Sequence, residues 1–524
     1  MTALKQIARS AGTVGGAVLL SRIAGLVRDM VMSSLFGAGP VADAIYVANM
    51  LPNLFRRLVA EGAPVASFIS IFTKLKQEEG EEAGVRFAET FWTLMTIVVA
   101  IMTLAGVFGA RPIVWAFTNP AFRADPSRYE LTVTLTRLMF PYLFFIALVA
   151  LAMGILNSYK KFFAPAISQF EMNLIWIAAV VFLHQPLGAH GMSVVVGVLV
   201  GGVAQLALQL PWLWKVGMRF RPRFNFSHPG LKRIGLLILP STFAVGISQI
   251  NTIVSNYYIT ANVGGRSWFY YANRLTEFPF GLISFALATA ILPTLSEQAD
   301  KSRRELFVKT FTGGLRLNAF LMIPASVGLI LIGHPLIELL FQHGKFGPAD
   351  TEATNLMLIA FCAGLPAMAG HRMVVQAFYA VEDMVSPVWT AALSMVINLA
   401  AAKFLSDRLG PTGVPLALSL AITGNLVLLA LLLPRRLDGQ LRSHGLWGVV
   451  LKSAVGSAAM AVPVLAIHHF LWSSGAPIVV KGLVLAAEIG SAGAVYAAVA
   501  YALGVQELSK TVDALRRRLQ RGKR

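Results

Sequence analysis

The chain has 524 residues, 56% of them hydrophobic and only 13% charged, with a formal net charge of +19. That composition excludes an ordinary soluble domain and fits a bundle of membrane-spanning helices, because apolar runs of about 20 residues recur from end to end. The positive excess lies in short connections and in the tail residues Arg516, Arg517, Arg518, Arg521, Lys523 and Arg524, which excludes a nucleic-acid surface and instead orients the protein in a bilayer.

The first span is expected over residues 10–34 and carries Arg22, Arg28 and Asp29. A charge near the bilayer centre costs about 2.5–3.5 kcal/mol on insertion scales, so this helix should turn its arginines toward a polar cavity rather than lipid. Arg22 and Asp29 share a face, but about 10 Å of helical rise separates them, too far to pair unaided. The second span, 41–74, is expected as one long helix kinked at Pro52, because 41–55 and 64–73 are each too short to cross alone. It places Asp43 near its start, Arg56 and Arg57 midway and Glu61 one turn further. Arg57 and Glu61 have the spacing of an ion pair within a helix. Asp43 has a simpler reading as well, since a carboxylate complements the positive end of a helix.

Four further spans are expected at 86–117, 130–157, 166–184 and 193–215, followed by the most basic inner loop, which holds Lys215, Arg219, Arg221, Arg223, Lys232 and Arg233. The seventh span, 232–260, offers only neutral polar groups at Ser241, Ser248, Gln249 and Asn251. The eighth, 268–297, carries Arg274 and Glu277, whose i,i+3 spacing puts them on one face. Spans nine to fourteen follow at 308–332, 352–381, 385–405, 414–434, 447–471 and 479–504. Glu78-Glu79 and Glu81-Glu82 read as a solvated charge run, and His468-His469 as interfacial packing without acids or thiols at metal spacing. Cys362 stands alone, so no internal disulfide forms. No catalytic constellation emerges, and the chain is not expected to be an enzyme.

Counting lysine and arginine fixes the expected orientation: with both termini cytoplasmic, the inner segments hold most of the positive charge. A duplication then organises the chain. Tyr46-Val47-Ala48-Asn49 recurs as Tyr270-Tyr271-Ala272-Asn273, Pro141 as Pro366, Asn173-Leu174 as Asn398-Leu399, and Leu187-Gly188-Ala189-His190-Gly191 as Leu409-Gly410-Pro411-Thr412-Gly413, at a nearly constant offset. Six spans per copy is an even number, so the two copies are related by an axis along the membrane normal. The fold expected is an all-α polytopic membrane protein: an N-terminal lobe at 1–220, a C-terminal lobe at 221–440, two extra helices at 441–505 and a basic cytoplasmic tail at 506–524. Helices from both lobes then offer Arg22, Arg28, Arg56, Arg57 and Arg274 to a shared interior, with Asp29, Asp43, Glu61 and Glu277 to orient them. Arginine stays charged at any working pH and binds phosphate oxygens with a planar fork, so an anionic, phosphate-bearing cargo is expected.

Several motifs carry a resemblance. Ser21-Arg22-Ile23-Ala24-Gly25-Leu26-Val27-Arg28-Asp29, Phe36-Gly37-Ala38-Gly39, Asp43-Ala44, Leu51-Pro52-Asn53-Leu54-Phe55-Arg56-Arg57 and Ala60-Glu61-Gly62-Ala63 are similar to the N-terminal signature of the MurJ (MviN) family. Tyr271-Ala272-Asn273-Arg274-Leu275-Thr276-Glu277-Phe278-Pro279 resembles its eighth-helix motif. The resemblance implies a lipid II flippase of the MOP exporter superfamily, resident in the bacterial inner membrane, that moves undecaprenyl-pyrophosphate-linked peptidoglycan precursor to the periplasmic leaflet. It implies that Arg22, Arg28, Arg56 and Arg274 match required cavity arginines, and that Asp29, Asp43 and Glu277 match important carboxylates. It also implies that the last two helices form a groove for the polyprenyl tail. Lipid II and membrane lipids are the partners expected, with the cell-wall synthesis machinery as a protein partner, no nucleic acid and no cofactor. The monovalent cation site of some relatives lacks its carboxylates here, since the seventh span has none and the eleventh offers only Asn398. The alternatives are a flippase for another undecaprenyl-pyrophosphate-linked oligosaccharide and a drug/cation antiporter of the same superfamily; the excess of arginine over carboxylate disfavours the antiporter.

Overall fold

The structure, a computed structural model, describes the backbone of residues 3–59, 63–437 and 445–509. Within these ranges side chains are described from residue 15 onward, except at 58–59, 63–64, 66, 233, 237–245, 247–248 and 301. Glu61, the side chains of Ser241 and Ser248, and residues 510–524 of the basic tail therefore lie outside the described residues.

Every regular element among the described residues is helical, and the chain divides into two compact units. The first runs to Ser267 and includes the short segment His343–Phe346. Its helices are α1 (Ala3–Phe36), α2 (Pro40–Val59), α3 (Ala63–Glu78), α4 (Glu81–Phe108), α5 (Ala110–Phe117), α6 (Pro120–Arg123), α7 (Pro126–Met139), α8 (Pro141–Ser158), α9 (Phe163–Leu183), α10 (Met192–Lys215) and α11 (Pro229–Ile259). The division falls after α11, which thus groups with the first unit instead of opening the second.

Local chemistry explains the breaks. Gly37 turns the chain after α1 with a φ of +65°, which L side chains rarely adopt, and Pro40 presets the first turn of α2. Pro52 lies within α2, and the described chain of the expected second span is two helices, α2 and α3, with Arg56 and Arg57 in the last turn of α2. The expected fourth span is likewise two helices, because Pro141 at the first position of α8 starts a new helix after Met139. At that joint Phe140 presses so closely on α4 that a Cβ at Gly106 would lie 1.9 Å from its ring. Asp125 caps α7, accepting from the Ser127 and Arg128 amides at 3.0 and 3.2 Å. These hydrogen bonds, with that of the Ser127 hydroxyl the largest influence, hold its carboxyl below the usual range. The core of this unit includes Phe68, Phe72, Phe87 and Phe91 of α3 and α4, stacked with Phe68–Phe91 centroids 4.7 Å apart.

The second unit holds α12 (Gly265–Pro279) beyond Ser267, α13 (Ala286–Glu297), α14 (Arg304–Phe341), α15 (Pro348–Ala380), α16 (Val385–Leu409), α17 (Gly413–Arg436), α18 (Leu446–Leu471) and α19 (Ile478–Ala502). A π-helical turn, Phe280–Phe285, joins α12 to α13 directly after Pro279. A core of Leu295, Phe307, Phe311, Phe378, Leu429 and Leu433 binds α13, α14, α15 and α17. The last two helices form a hairpin whose principal neighbour is α14: Phe320 meets Val449, Met460 and Tyr496, and the Tyr496 hydroxyl donates to the Phe320 carbonyl at 2.6 Å.

Large apolar side chains such as Phe108, Phe182, Trp389, Leu431 and Phe470 are exposed, as lipid-facing surfaces require. Ten segments among the described residues are long and apolar enough to cross a membrane. They hold eleven of the fourteen expected spans, because Val385–Arg436 contains both α16 and α17. The other three expected spans fall on α1, on α2 with α3, and on α11. The protein is an all-α polytopic membrane protein.

Candidate functional site

The charges of α1 are organised by α9. Arg28 turns its Nε and Nη2 onto Asp29 Oδ1 at 3.1 and 2.8 Å, and its Nη1 donates to Asn173 Oδ1 at 3.1 Å. Asn173 in turn donates to the Ser21 carbonyl at 3.2 Å, and the guanidinium carbon lies 4.6 Å from the centroid of Trp176. Asp29 is buried and Arg28 only slightly accessible. Spacing pointed to Arg22 as the residue sharing a face with Asp29; the structure pairs Asp29 with its neighbour Arg28 instead, through the length of the arginine side chain.

Arg22 differs. It is exposed and makes no hydrogen bond or ion pair with any described residue. It lines a cavity of about 380 Å³ with Ser21 and Val18 of α1, Met153 and Asn157 of α8, and Gln169 of α9. The rest of its lining is apolar or neutral, and the arginine is the cation within it. Such a site can take an anion on the planar donor fork of the guanidinium.

Asp43 lies elsewhere in the first unit, in a sealed network. It is fully buried; Oδ2 takes Arg128 Nη2 at 2.5 Å and the Gly264 amide at 2.7 Å, while Oδ1 takes the amide and hydroxyl of Ser267 at 3.0 and 2.8 Å. Arg128 is almost wholly buried, donates to the Asn262 carbonyl at 3.2 Å, and lies 4.0 Å from the Phe122 centroid. Asn256 donates to the Phe117 carbonyl, and the Asn119 amide to Thr260, so the end of α11 is fastened at the same place. Arg128 is absent from the sequence-based set. It stands 85 residues from its partner, just past a loop, and no local spacing joins the two.

Arg56 Nε reaches Asn53 Oδ1 at 3.3 Å, and Arg57 is exposed. In the second unit Arg274 and Glu277 form the expected i,i+3 pair, but loosely, with Nη1 and Oε2 3.7 Å apart and the carboxylate more than half exposed. Asn273 donates to the other oxygen of Glu277 at 2.9 Å. The second unit contains a further intramembrane cation that the motifs did not signal. Arg372 of α15 lies 4.9 Å from the centroid of Phe285, in the π-helical turn, and its Nε is buried without a partner. A lone arginine inside an apolar span was the available signal.

Two buried carboxylates, one facing the C-terminal hairpin and one within it, were also missed. Glu338 of α14 accepts from Lys481 Nζ at 2.8 Å, Trp472 Nε1 at 3.2 Å and Ser474 Oγ at 3.3 Å, which ties the hairpin's turn to α14. Glu488 of α19 is fully buried against His468, with 3.2 Å between Oε1 and Nδ1. His468 also stacks on Trp472 with ring centroids 5.7 Å apart, so its packing comes with an acidic partner twenty residues away.

A family model described as "Lipid II flippase MurJ" matches residues 32–485. The chain belongs to the MurJ family. Within that family it is 34% identical to a "Probable lipid II flippase MurJ" of Vibrio cholerae, over 82% of this chain and 83% of that protein. It is 33% identical to a protein of the same description from Rhizobium meliloti, over 97% of this chain and 96% of the other. The "Lipid II flippase MurJ" of Burkholderia cenocepacia is 34% identical, over 81% and 83% of the two chains. A solved structure of "Lipid II flippase MurJ, inward closed conformation" superposes with a TM-score of 0.77 at 23% identity, covering 94% of this chain and 99% of that one. A multidrug resistance MATE family transporter of the MOP superfamily, in an inward-facing conformation, gives 0.64 at 17% identity, covering 84% of this chain and 99% of that one. At such identities the two structures speak for the fold, and the MurJ assignment rests on the sequence matches.

Proposed function

We propose that the chain is a lipid II flippase, moving lipid-linked peptidoglycan precursor from the cytoplasmic to the periplasmic leaflet of the bacterial inner membrane by alternating access. The observation that carries the mechanism is Arg22, a guanidinium without a described partner in a partly apolar cavity of a MurJ-family chain. Arg22 and Arg28 would grip the pyrophosphate bidentately, with Asp29, Asn173 and Trp176 fixing the plane of Arg28. Arg56, Arg57 and Arg274 would add positive charge along the path, and Glu277 and Glu61 would limit repulsion in its absence. Asp43 would serve the cycle by holding the start of α12. The polyprenyl tail stays in lipid along the α18–α19 hairpin. Nothing in this transfer makes or breaks a covalent bond, and no cofactor is needed. The membrane potential, worth about 2.3 kcal/mol per charge per 100 mV, would be the energy source in this reading. Both termini face the cytoplasm in this reading, as the charge distribution favours.

The test is complementation. The gene should sustain peptidoglycan synthesis in cells depleted of their own lipid II flippase, and failure despite normal insertion would favour another undecaprenyl-pyrophosphate cargo. Arg28→Lys and Arg274→Lys, which keep the charge but lose the fork, should insert normally and fail to complement. Full activity of both would overturn bidentate capture.

A further inference from the structure

A second cavity is lined by none of the residues assigned above to the cargo. It measures about 760 Å³ and is lined by Arg111, Pro112 and Trp115 of α5, Pro120 and Arg123 of α6, and Tyr129 of α7. Its position follows from charge and length. The orientation favoured by the charge distribution of the whole chain puts the start of α4 on the cytoplasmic side, and twenty-eight helical residues, about 42 Å, carry the chain to the opposite face, where α5 begins.

Its chemistry is specific. Arg111 is already committed, with Nη2 between both oxygens of Glu130 at 2.6 and 2.7 Å, and its carbonyl accepts from the Tyr129 hydroxyl at 3.1 Å. Arg123 is not committed in the same way. Its Nε reaches the Asn119 carbonyl at 3.4 Å, and its guanidinium carbon lies 4.5 Å from the centroid of Trp115. Trp115 is itself 60% exposed. An arginine held against an indole keeps its donor edge free and pre-oriented, which suits one planar carboxylate. With Arg111 neutralised by Glu130, a single open cation remains, too little for a pyrophosphate and matched to one negative charge. The indole edge and the two prolines supply the apolar wall against which the C–H face of a sugar ring packs.

We propose that this cavity is an exit-side subsite for the carboxylate-bearing glycopeptide headgroup of the cargo, with Arg123 taking a peptide carboxylate and Trp115 the adjoining sugar. The proposal rests on the flippase reading and adds a second site to it. A headgroup seated there is withdrawn from the cation-lined path, so its return is disfavoured once the pyrophosphate is released.

The test uses the full chain in lipid nanodiscs and, as probe, the soluble disaccharide-pentapeptide without pyrophosphate or lipid, followed by equilibrium dialysis of the labelled compound. Saturable binding is expected. Arg123→Gln should weaken it by about tenfold, as loss of one charged hydrogen-bonding partner does, and Trp115→Leu should weaken it too. Arg123→Lys should recover only part of the affinity. Amidating the peptide carboxylates of the probe should reproduce the Arg123→Gln loss in the wild-type protein. No saturable binding, equal binding by Arg123→Gln, or equal binding of the amidated probe would each overturn the proposal, as would an effect of the variants only on contact with anionic lipid. Complementation by the unaltered gene, run in parallel, separates the two readings. If it succeeds while the probe fails to bind, the subsite falls and the flippase stands. If it fails while the probe binds in an Arg123-dependent way, the flippase reading falls and a glycopeptide site remains.

Discussion

Two charged clusters in the first unit make opposite use of similar residues. Around Asp43 and Arg128 both carboxylate oxygens are taken, by one guanidinium, two amides and a hydroxyl, and water is excluded. Around Arg22 and Arg28 one guanidinium is steadied by Asp29 and Asn173, while the other faces a cavity. The first cluster has little left to offer a ligand. The second holds an uncommitted charge in reserve. Intramembrane charge is therefore not one signal: burial in a closed ion pair separates the fastening from the grip.

The strongest way to break this comparison is to remove a partner from the sealed cluster. Asp43→Ala leaves Arg128 buried and unpaired, and should cost about 3–5 kcal/mol of stability, read as a large fall in thermal unfolding temperature in detergent. Asp43→Leu combined with Arg128→Met should recover much of that loss, because an apolar pair avoids the uncompensated charge. A small effect of Asp43→Ala would show that the cluster opens readily to solvent. Next in size is the hairpin fastening. Glu338→Gln keeps the shape but removes the charge facing Lys481, and should cost about 1–3 kcal/mol, with earlier proteolysis near residues 472–477 as the readout. Arg22→Gln should change stability by no more than about 0.5 kcal/mol while abolishing complementation. An equal loss of stability in Arg22→Gln and Asp43→Ala would erase the distinction between the two clusters.

The smallest effect is expected at Asp383, in the connection between α15 and α16. Burial raises its carboxyl, but hydrogen bonds from Ser386 and Val385 and the Arg436 guanidinium 2.7 Å away outweigh it, so the group titrates below its ordinary range. A lowered folded-state value means the contribution is fully present above the unfolded value and is lost as pH falls through the folded one. Stability in the wild-type protein should thus decline below about pH 4 slightly more than in Asp383→Asn. Arg436 is half exposed, so solvent keeps the difference small.

What the sequence disclosed was what is local. Apolar runs located most of the spans, and i,i+3 spacing anticipated the contact between Arg274 and Glu277, though not its looseness. Proline was harder to read: Pro52 was treated as a kink and lies inside α2, whereas Pro141 begins a helix within what looked like one span. Partners distant in the chain were not legible at all. Asp43 with Arg128, Glu338 with Lys481 and Glu488 with His468 are separated by 85, 143 and 20 residues, and no helical periodicity relates them. The pairing of Arg28 with adjacent Asp29 was missed for a different reason: successive residues leave a helix in different directions, and only a long, flexible side chain brings them together.

The dependence of the hairpin on α14 has a consequence for biogenesis. Glu338 leaves the ribosome 143 residues ahead of Lys481, and Phe320 well before Val449 and Tyr496. During that interval α14 must sit in the bilayer with an unclaimed aromatic seam and an unclaimed acid, both open to whatever neighbour arrives first. Truncations that remove the last two helices leave that side bare, and should mark the remaining chain for quality-control proteolysis even where the rest is intact.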